Sequence, residues 1–132
     1  MNKVINWFKK FIKNPILNWS MVVAYAGIIF LLSSLTASQL KSTVPSVFYF
    51  PDYLLHFFQF FILGILLFRA LIVTGYKKAA LIAVTFCFIF AISDELHQLF
   101  VKGRVFSIKD IFADTLGAIA AQLPGLKNLF LK

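Results

Sequence analysis

Four long apolar stretches, at about residues 19–36, 52–73, 79–99 and 108–130, constrain this chain more than anything else in it. Each is close to the roughly 20 residues that an α-helix needs to cross the hydrocarbon core of a bilayer. Hydrophobic residues make up 61% of the 132, charged residues only 14%, and 17 residues are Phe. A soluble domain of this length exposes much of its surface to water and needs more polar side chains to cover it. A single soluble domain is therefore excluded. The expected fold is all-α: a polytopic membrane protein, a four-transmembrane-helix bundle preceded by a short N-terminal amphipathic helix.

That amphipathic segment is residues 1–18, with residues 19–132 forming the membrane domain. Val4, Trp7, Phe8, Phe11 and Ile12 recur at helical spacing, with Lys3, Lys9, Lys10 and Lys13 between them. Such a pattern suits a helix lying among lipid headgroups, its lysines toward anionic lipid, and Pro15 separates it from the first span. The other reading of this stretch is the n-region of a secretory signal, with Thr36-Ala37-Ser38 as a weak cleavage site. A loop broken by Pro45 and Pro51 follows the first span. Gly75-Tyr76-Lys77-Lys78 makes a tight turn, and residues 101–107 a short loop. The last span carries Gly117, Ala118, Ala120 and Ala121, small residues that let helices approach closely, and weakens at Pro124-Gly125. The single cysteine, Cys87, falls mid-span and forms no internal disulfide.

Charge assigns the ends of the bundle. With four spans, nine of the 13 basic residues (Lys3, Lys9, Lys10, Lys13, Arg69, Lys77, Lys78, Lys127 and Lys132) share one side, and four (Lys41, Lys102, Arg104 and Lys109) the other. The positive-inside rule then puts both termini in the cytoplasm. The net charge of +8 is thereby read as topology and affinity for anionic headgroups, not as a nucleic-acid surface. All five acids, Asp52, Asp94, Glu95, Asp110 and Asp114, fall at the opposite, outer end, as do both histidines, His56 and His97. Carboxylates near lipid are costly and mark function by default, so this end is the expected site.

Spacing arranges these groups. Asp52 and His56, four residues apart, share a helix face, which Gly64 continues. Asp94 shares a face with His97 and Gln98, while Glu95 points elsewhere unless the helix distorts. Asp110, Asp114 and Gly117 lie along one face of the last span, with Ser107 as its N-cap and Asp110 as capping partner. Arg104 can fold back over the carboxylates. The candidate catalytic residues are His56, Asp94, Glu95 and Asp110. The candidates for binding a substrate are Arg104, Gln98, His97, Asp114, Asp52 and Ser107.

Several chemistries stay open for this set. Histidines with carboxylates can ligate a divalent metal, although no His-x-x-x-His or cysteine cluster supports one, and no cofactor is assigned. A His–Asp pair can act as general base while Arg104 holds an anion, a phosphate or carboxylate at headgroup level. Neither Ser93 nor Ser107 sits in a nucleophile elbow. Each residue also has a structural reading: Asp110 as an acid offsetting the helix dipole, Asp52 as an exposed helix start, Arg104 as a lock on Asp94 or Asp110, His56 as a polar residue bonded to the last span. Asp114, a turn deeper among apolar neighbours, fits that reading least.

The same residues resemble the VanZ-like family of small bacterial membrane proteins, named after a teicoplanin-resistance protein. The resemblance rests on Ser33-Ser34, Asp52 with His56 and Gly64, Ser93-Asp94-Glu95 with Gln98, Gly103-Arg104, Ser107 with Asp110, and Gly117, with 93–117 the most specific stretch. The chain departs from the pattern at Tyr53, Lys102 and Asp114, where the family usually has Lys, Pro and Asn. The resemblance implies four spans in a bacterial cytoplasmic membrane and a link to the cell envelope and glycopeptide susceptibility. It hands over no reaction. The expected function is binding or modification of an envelope lipid or lipid-linked precursor, with homo-oligomerisation open. The alternative is a non-enzymatic accessory protein whose polar cluster is structural or docks a partner.

Overall fold

The computed structural model of the chain describes residues 13–43 and 51–123, and these form five helices: α1 (Pro15–Ser33), α2 (Ala37–Thr43), α3 (Asp52–Val73), α4 (Ala79–Gln98) and α5 (Ile108–Ala120). Three of them, α1, α3 and α4, are long and apolar enough to cross a membrane. The fourth expected span is thus corrected. Helix α5 has 13 residues, about 20 Å at 1.5 Å per residue, against a hydrocarbon core of about 30 Å. It opens with Lys109, Asp110 and Asp114, and Pro124 beyond it disfavours helical backbone at the preceding residue. Residues 124–130 of that expected span lie outside the described residues.

The N-terminal boundary is corrected as well. Helix α1 starts at Pro15, not near residue 19. Asn14 caps it, its side-chain oxygen accepting from the backbone N–H of Ile16 at 2.9 Å and of Leu17 at 3.3 Å, with proline in the first turn. Proline is suited to that position because its missing N–H has no intrahelical partner there. Residues 15–18, expected in the amphipathic segment, therefore belong to an apolar helix. Residues 1–12 of that segment lie outside the described residues.

Part of the expected 37–51 loop is helical. Thr36 and Gln39 form a reciprocal cap on α2: Gln39 N–H donates to Thr36 Oγ1 at 3.3 Å, and Thr36 N–H to Gln39 Oε1 at 3.0 Å. This is the Ser/Thr-x-x-Glu/Gln capping box.

Chain direction reverses at each connection, so the C-terminal ends of α1 and α4 and the N-terminal ends of α3 and α5 meet at one end of the bundle. At the opposite end Trp19 Nε1–H donates to Thr74 Oγ1 at 3.0 Å, tying the start of α1 to the end of α3. The core is built from Phe60, Leu63, Leu67 and Leu71 of α3, Val22 and Ile29 of α1, and a stripe of small residues on α4, Ala79, Ala83, Cys87 and Ala91. Outward-facing residues are large and apolar, among them Val23, Leu31, Phe58, Leu81, Ile89 and Phe112, an inversion of soluble patterning that fits a lipid surround.

Glycine sets the closest contact. A Cβ at Gly117 would collide with the backbone carbonyl of Phe57, and one at Gly64 would stand 3.0 Å from Ala121 Cβ and 3.2 Å from Ala118 Cα. Helices α3 and α5 thus approach backbone to backbone, as small-residue faces permit. Gly117→Ala is expected to destabilise the bundle by about 1–3 kcal/mol, the usual range for overpacking. Gly27→Ala, where nothing lies within 4 Å of the added carbon, should be neutral or stabilising by up to about 1 kcal/mol. Thermal unfolding of the two variants in detergent checks the contrast.

Candidate functional site

The end of the bundle where α1, α3, α4 and α5 meet holds a buried polar cluster. Glu95 and Asp114 are 0% exposed, Gln98 3%, Asp94 5% and His56 6%. The α4 members sit there because the small-residue stripe continues in register: Glu95 lies four residues after Ala91, and Asp94 and Gln98 flank the same face. Helix α5 brings Asp114 to His56 because it packs so closely on α3. His56 Nδ1–H donates to Asp114 Oδ1 at 3.1 Å, and His56 Nε2 stands 4.0 Å from Glu95 Oε1. A histidine held this way by a carboxylate presents its other nitrogen in a fixed direction, able to accept a proton or coordinate a cation.

The remaining contacts run from this cluster into the 99–107 loop. Glu95 Oε2 accepts from the backbone N–H of Ser107 at 2.8 Å. Gln98 Nε2 donates to Asp94 Oδ2 at 3.2 Å, and Arg104 Nε donates to Gln98 Oε1 at 3.1 Å. Ser107 caps α5, its hydroxyl accepting from Asp110 N–H at 3.3 Å, as its spacing implied. Gly103, with φ of +80°, gives the loop a turn that residues with a Cβ rarely adopt. Its missing side chain also leaves room for Ala37, which would stand 3.2 Å from an added Cβ.

Three sequence expectations change here. Glu95 points into the cluster, not away from it. His97 turns aside: its Nε2 lies 3.0 Å from Ser34 Oγ, and its ring is 4.6 Å from that of Phe30 on α1. Ser34 Oγ already donates to Phe30 O at 2.7 Å, which leaves His97 Nε2–H as the donor. Asp94 and His97 therefore turn to different partners, Gln98 and Ser34. Arg104 reaches Asp94 through Gln98, and forms no ion pair with Asp94 or Asp110 among the described residues.

Beside the cluster opens a cavity of about 670 Å³. Its lining combines apolar residues, Ile29, Leu32, Leu40, Tyr53 and Leu55, with polar ones, His56, Gln59, Asp94, Gln98, Arg104 and Asp110. Asp52, exposed, and Lys109, exposed, stand at its edge. Glu95 and Asp114 are fully buried next to it. Helix α2, within the expected loop, contributes Ala37 and Leu40. Gln59 and Lys109 are additions to the set expected from sequence. The signal for Gln59 is its spacing, seven residues after Asp52 and three after His56 on the same face; Lys109 carries only a topological signal.

Three helices long and apolar enough to cross a membrane among the described residues, with a buried His–carboxylate cluster at one end, fit a multi-pass membrane protein. The VanZ/LLP1 family model matches residues 6–123, and the chain belongs to that family, as its motifs implied. No curated protein and no solved structure matches it.

The Glu95–Ser107 bond ties the 99–107 loop to the bundle. Glu95→Ala removes the acceptor and should free that loop, so trypsin is expected to cut after Lys102 and Arg104 several times faster than in the unsubstituted chain. Limited digestion in detergent followed by mass spectrometry of the fragments reads this out.

Proposed function

We propose that the protein binds, and acts on, a phosphate-bearing amphiphile of the cell envelope, a phospholipid or a polyprenyl-phosphate-linked precursor. The observation that carries this reading is a cavity lined by one set of apolar and one set of polar side chains. An acyl or prenyl chain fits the first by burying apolar surface. A headgroup fits the second, where Arg104 and Lys109 supply positive charge and Arg104 can present its planar fork to a phosphate. Arg104 holds its position through Gln98, and its remaining N–H groups have no other side-chain partner among the described residues. His56, Asp94, Glu95 and Asp110 would then be the groups that hold or alter the headgroup.

The same reading places the cavity at the outer face of a bacterial cytoplasmic membrane. Lys13, Arg69, Lys77 and Lys78 lie toward the opposite end, which the positive-inside rule makes cytoplasmic. An influence on teicoplanin susceptibility would follow from an altered or sequestered envelope precursor.

Native mass spectrometry of the detergent-solubilised chain tests binding, with phosphatidylglycerol in one arm and a polyprenyl phosphate in the other. Retention of either is expected, weakened about tenfold or more in Arg104→Gln through loss of a charge-assisted bond. Equal retention in Arg104→Gln refutes the assignment. In cells, His56→Ala and Glu95→Gln should abolish the phenotype while folded protein is maintained. If the cluster serves only the fold, both substitutions lower thermal stability and expression together.

A further inference from the structure

We propose that His56, Asp94 and Glu95 bind a divalent first-row transition-metal ion, of the Zn2+ or Mn2+ kind. One donor atom from each residue lies within 4.8 Å of the others, and all three residues are buried. Each divides its two polar atoms in the same way. His56 gives Nδ1–H to Asp114, Asp94 gives Oδ2 to Gln98, and Glu95 gives Oε2 to the Ser107 N–H. What is left over is His56 Nε2 and two carboxylate oxygens, Asp94 Oδ1 and Glu95 Oε1, that are buried and have no hydrogen-bond partner among the described residues. A buried carboxylate oxygen without a donor is costly. Here two occur in one cluster, with an imidazole nitrogen 4.0 Å from one of them.

This division is what a metal site requires. Ligating histidines usually give their second nitrogen to a carboxylate, and ligating carboxylates are themselves hydrogen-bonded. Asp114, Gln98 and the Ser107 backbone fill those supporting roles. Donors on one ion with bonds of about 2.1 Å stand roughly 3–4 Å apart, so a small side-chain rotation closes the observed spread. One imidazole with two carboxylates suits Zn2+ or Mn2+. A cation would also offset the negative charge gathered on Asp94, Glu95 and Asp114, which His56 alone cannot neutralise. Because His56 and Asp94 also line the cavity, the ion's open position would face it, the arrangement of a catalytic rather than a closed structural site. His56 would then serve as a ligand instead of a proton acceptor.

The inference is tested on the full chain without a polyhistidine tag, stripped with chelator in detergent, reloaded with Zn2+ or Mn2+ and cleared of free ion. One equivalent of either metal per chain, with a raised Tm, is expected. Glu95→Gln and Asp94→Asn keep the shape and an acceptor oxygen for the Ser107 and Gln98 donors, and each should weaken metal binding at least tenfold. Asp114→Asn should weaken it about tenfold through His56, and Lys77→Gln, exposed at the opposite end of the bundle, should leave it unchanged. The inference fails if the wild-type chain retains neither ion, an outcome that needs no variant. It also fails if Glu95→Gln and Asp94→Asn retain the ion as the wild type does. Lipid is absent from every arm, so a chain that binds the amphiphile but no metal overturns this inference alone.

Discussion

The backbone-to-backbone approach of α5 on α3 is the contact on which the rest of this bundle's polar end depends. Gly117 lies against the Phe57 carbonyl, and Gly64 against Ala118 and Ala121. Only at that spacing does Asp114, one turn before Gly117, reach His56 on α3 at 3.1 Å. The imidazole is then held with Nε2 toward Glu95. Glu95 in turn holds Ser107, and Ser107 caps α5. The sequence of contacts closes on itself: the helix that supplies Asp114 is anchored at its start by the carboxylate that faces the same histidine. In water such a ring would be loosened by competing solvent. Within a buried end of low effective dielectric each link is stronger, and each unmade link more costly.

How much of this is legible in the sequence follows from what each residue's signal depends on. The three spanning helices are readable because a run of apolar residues is a property of the segment itself. Placement of the acids and histidines at one end follows from counting reversals. Which face Glu95 takes does not follow from polar spacing, because Asp94, His97 and Gln98 also make a polar face. The deciding feature is apolar: the stripe Ala79, Ala83, Cys87, Ala91, whose next member is Glu95. Small residues carry little hydrophobic signal, yet they mark where helices approach most closely. The start of α1 is obscured because Pro15 reads as a break, whereas after Asn14 it is a helix opener. The length of α5 depends on where its polar start and its terminating proline fall, which mean composition over the stretch conceals. Helix α2 is hard to read although Thr36 and Gln39 have the capping-box spacing, because seven residues give no periodicity to count.

Stability alone is a poor reason for this cluster to exist. Taking a carboxylate out of water costs several kcal/mol even after relaxation, and well-packed apolar residues in place of a buried ionic group are often as stable or more so. Asp94, Glu95 and Asp114 are nonetheless buried together around one histidine, and each keeps one oxygen with no donor among the described residues. The donors that are present, Gln98, the Ser107 N–H and His56, serve the opposite oxygens. A set built to lock helices would pair both oxygens where it could. This one fixes the orientation of its carboxylates and leaves acceptor capacity on Asp94 and Glu95 beside the histidine's second nitrogen, next to a cavity edged by Arg104 and Lys109. The arrangement gives up folding stability to hold charge in a chosen direction, which fits the proposed uptake of a cation or of an amphiphile's polar end from the cavity.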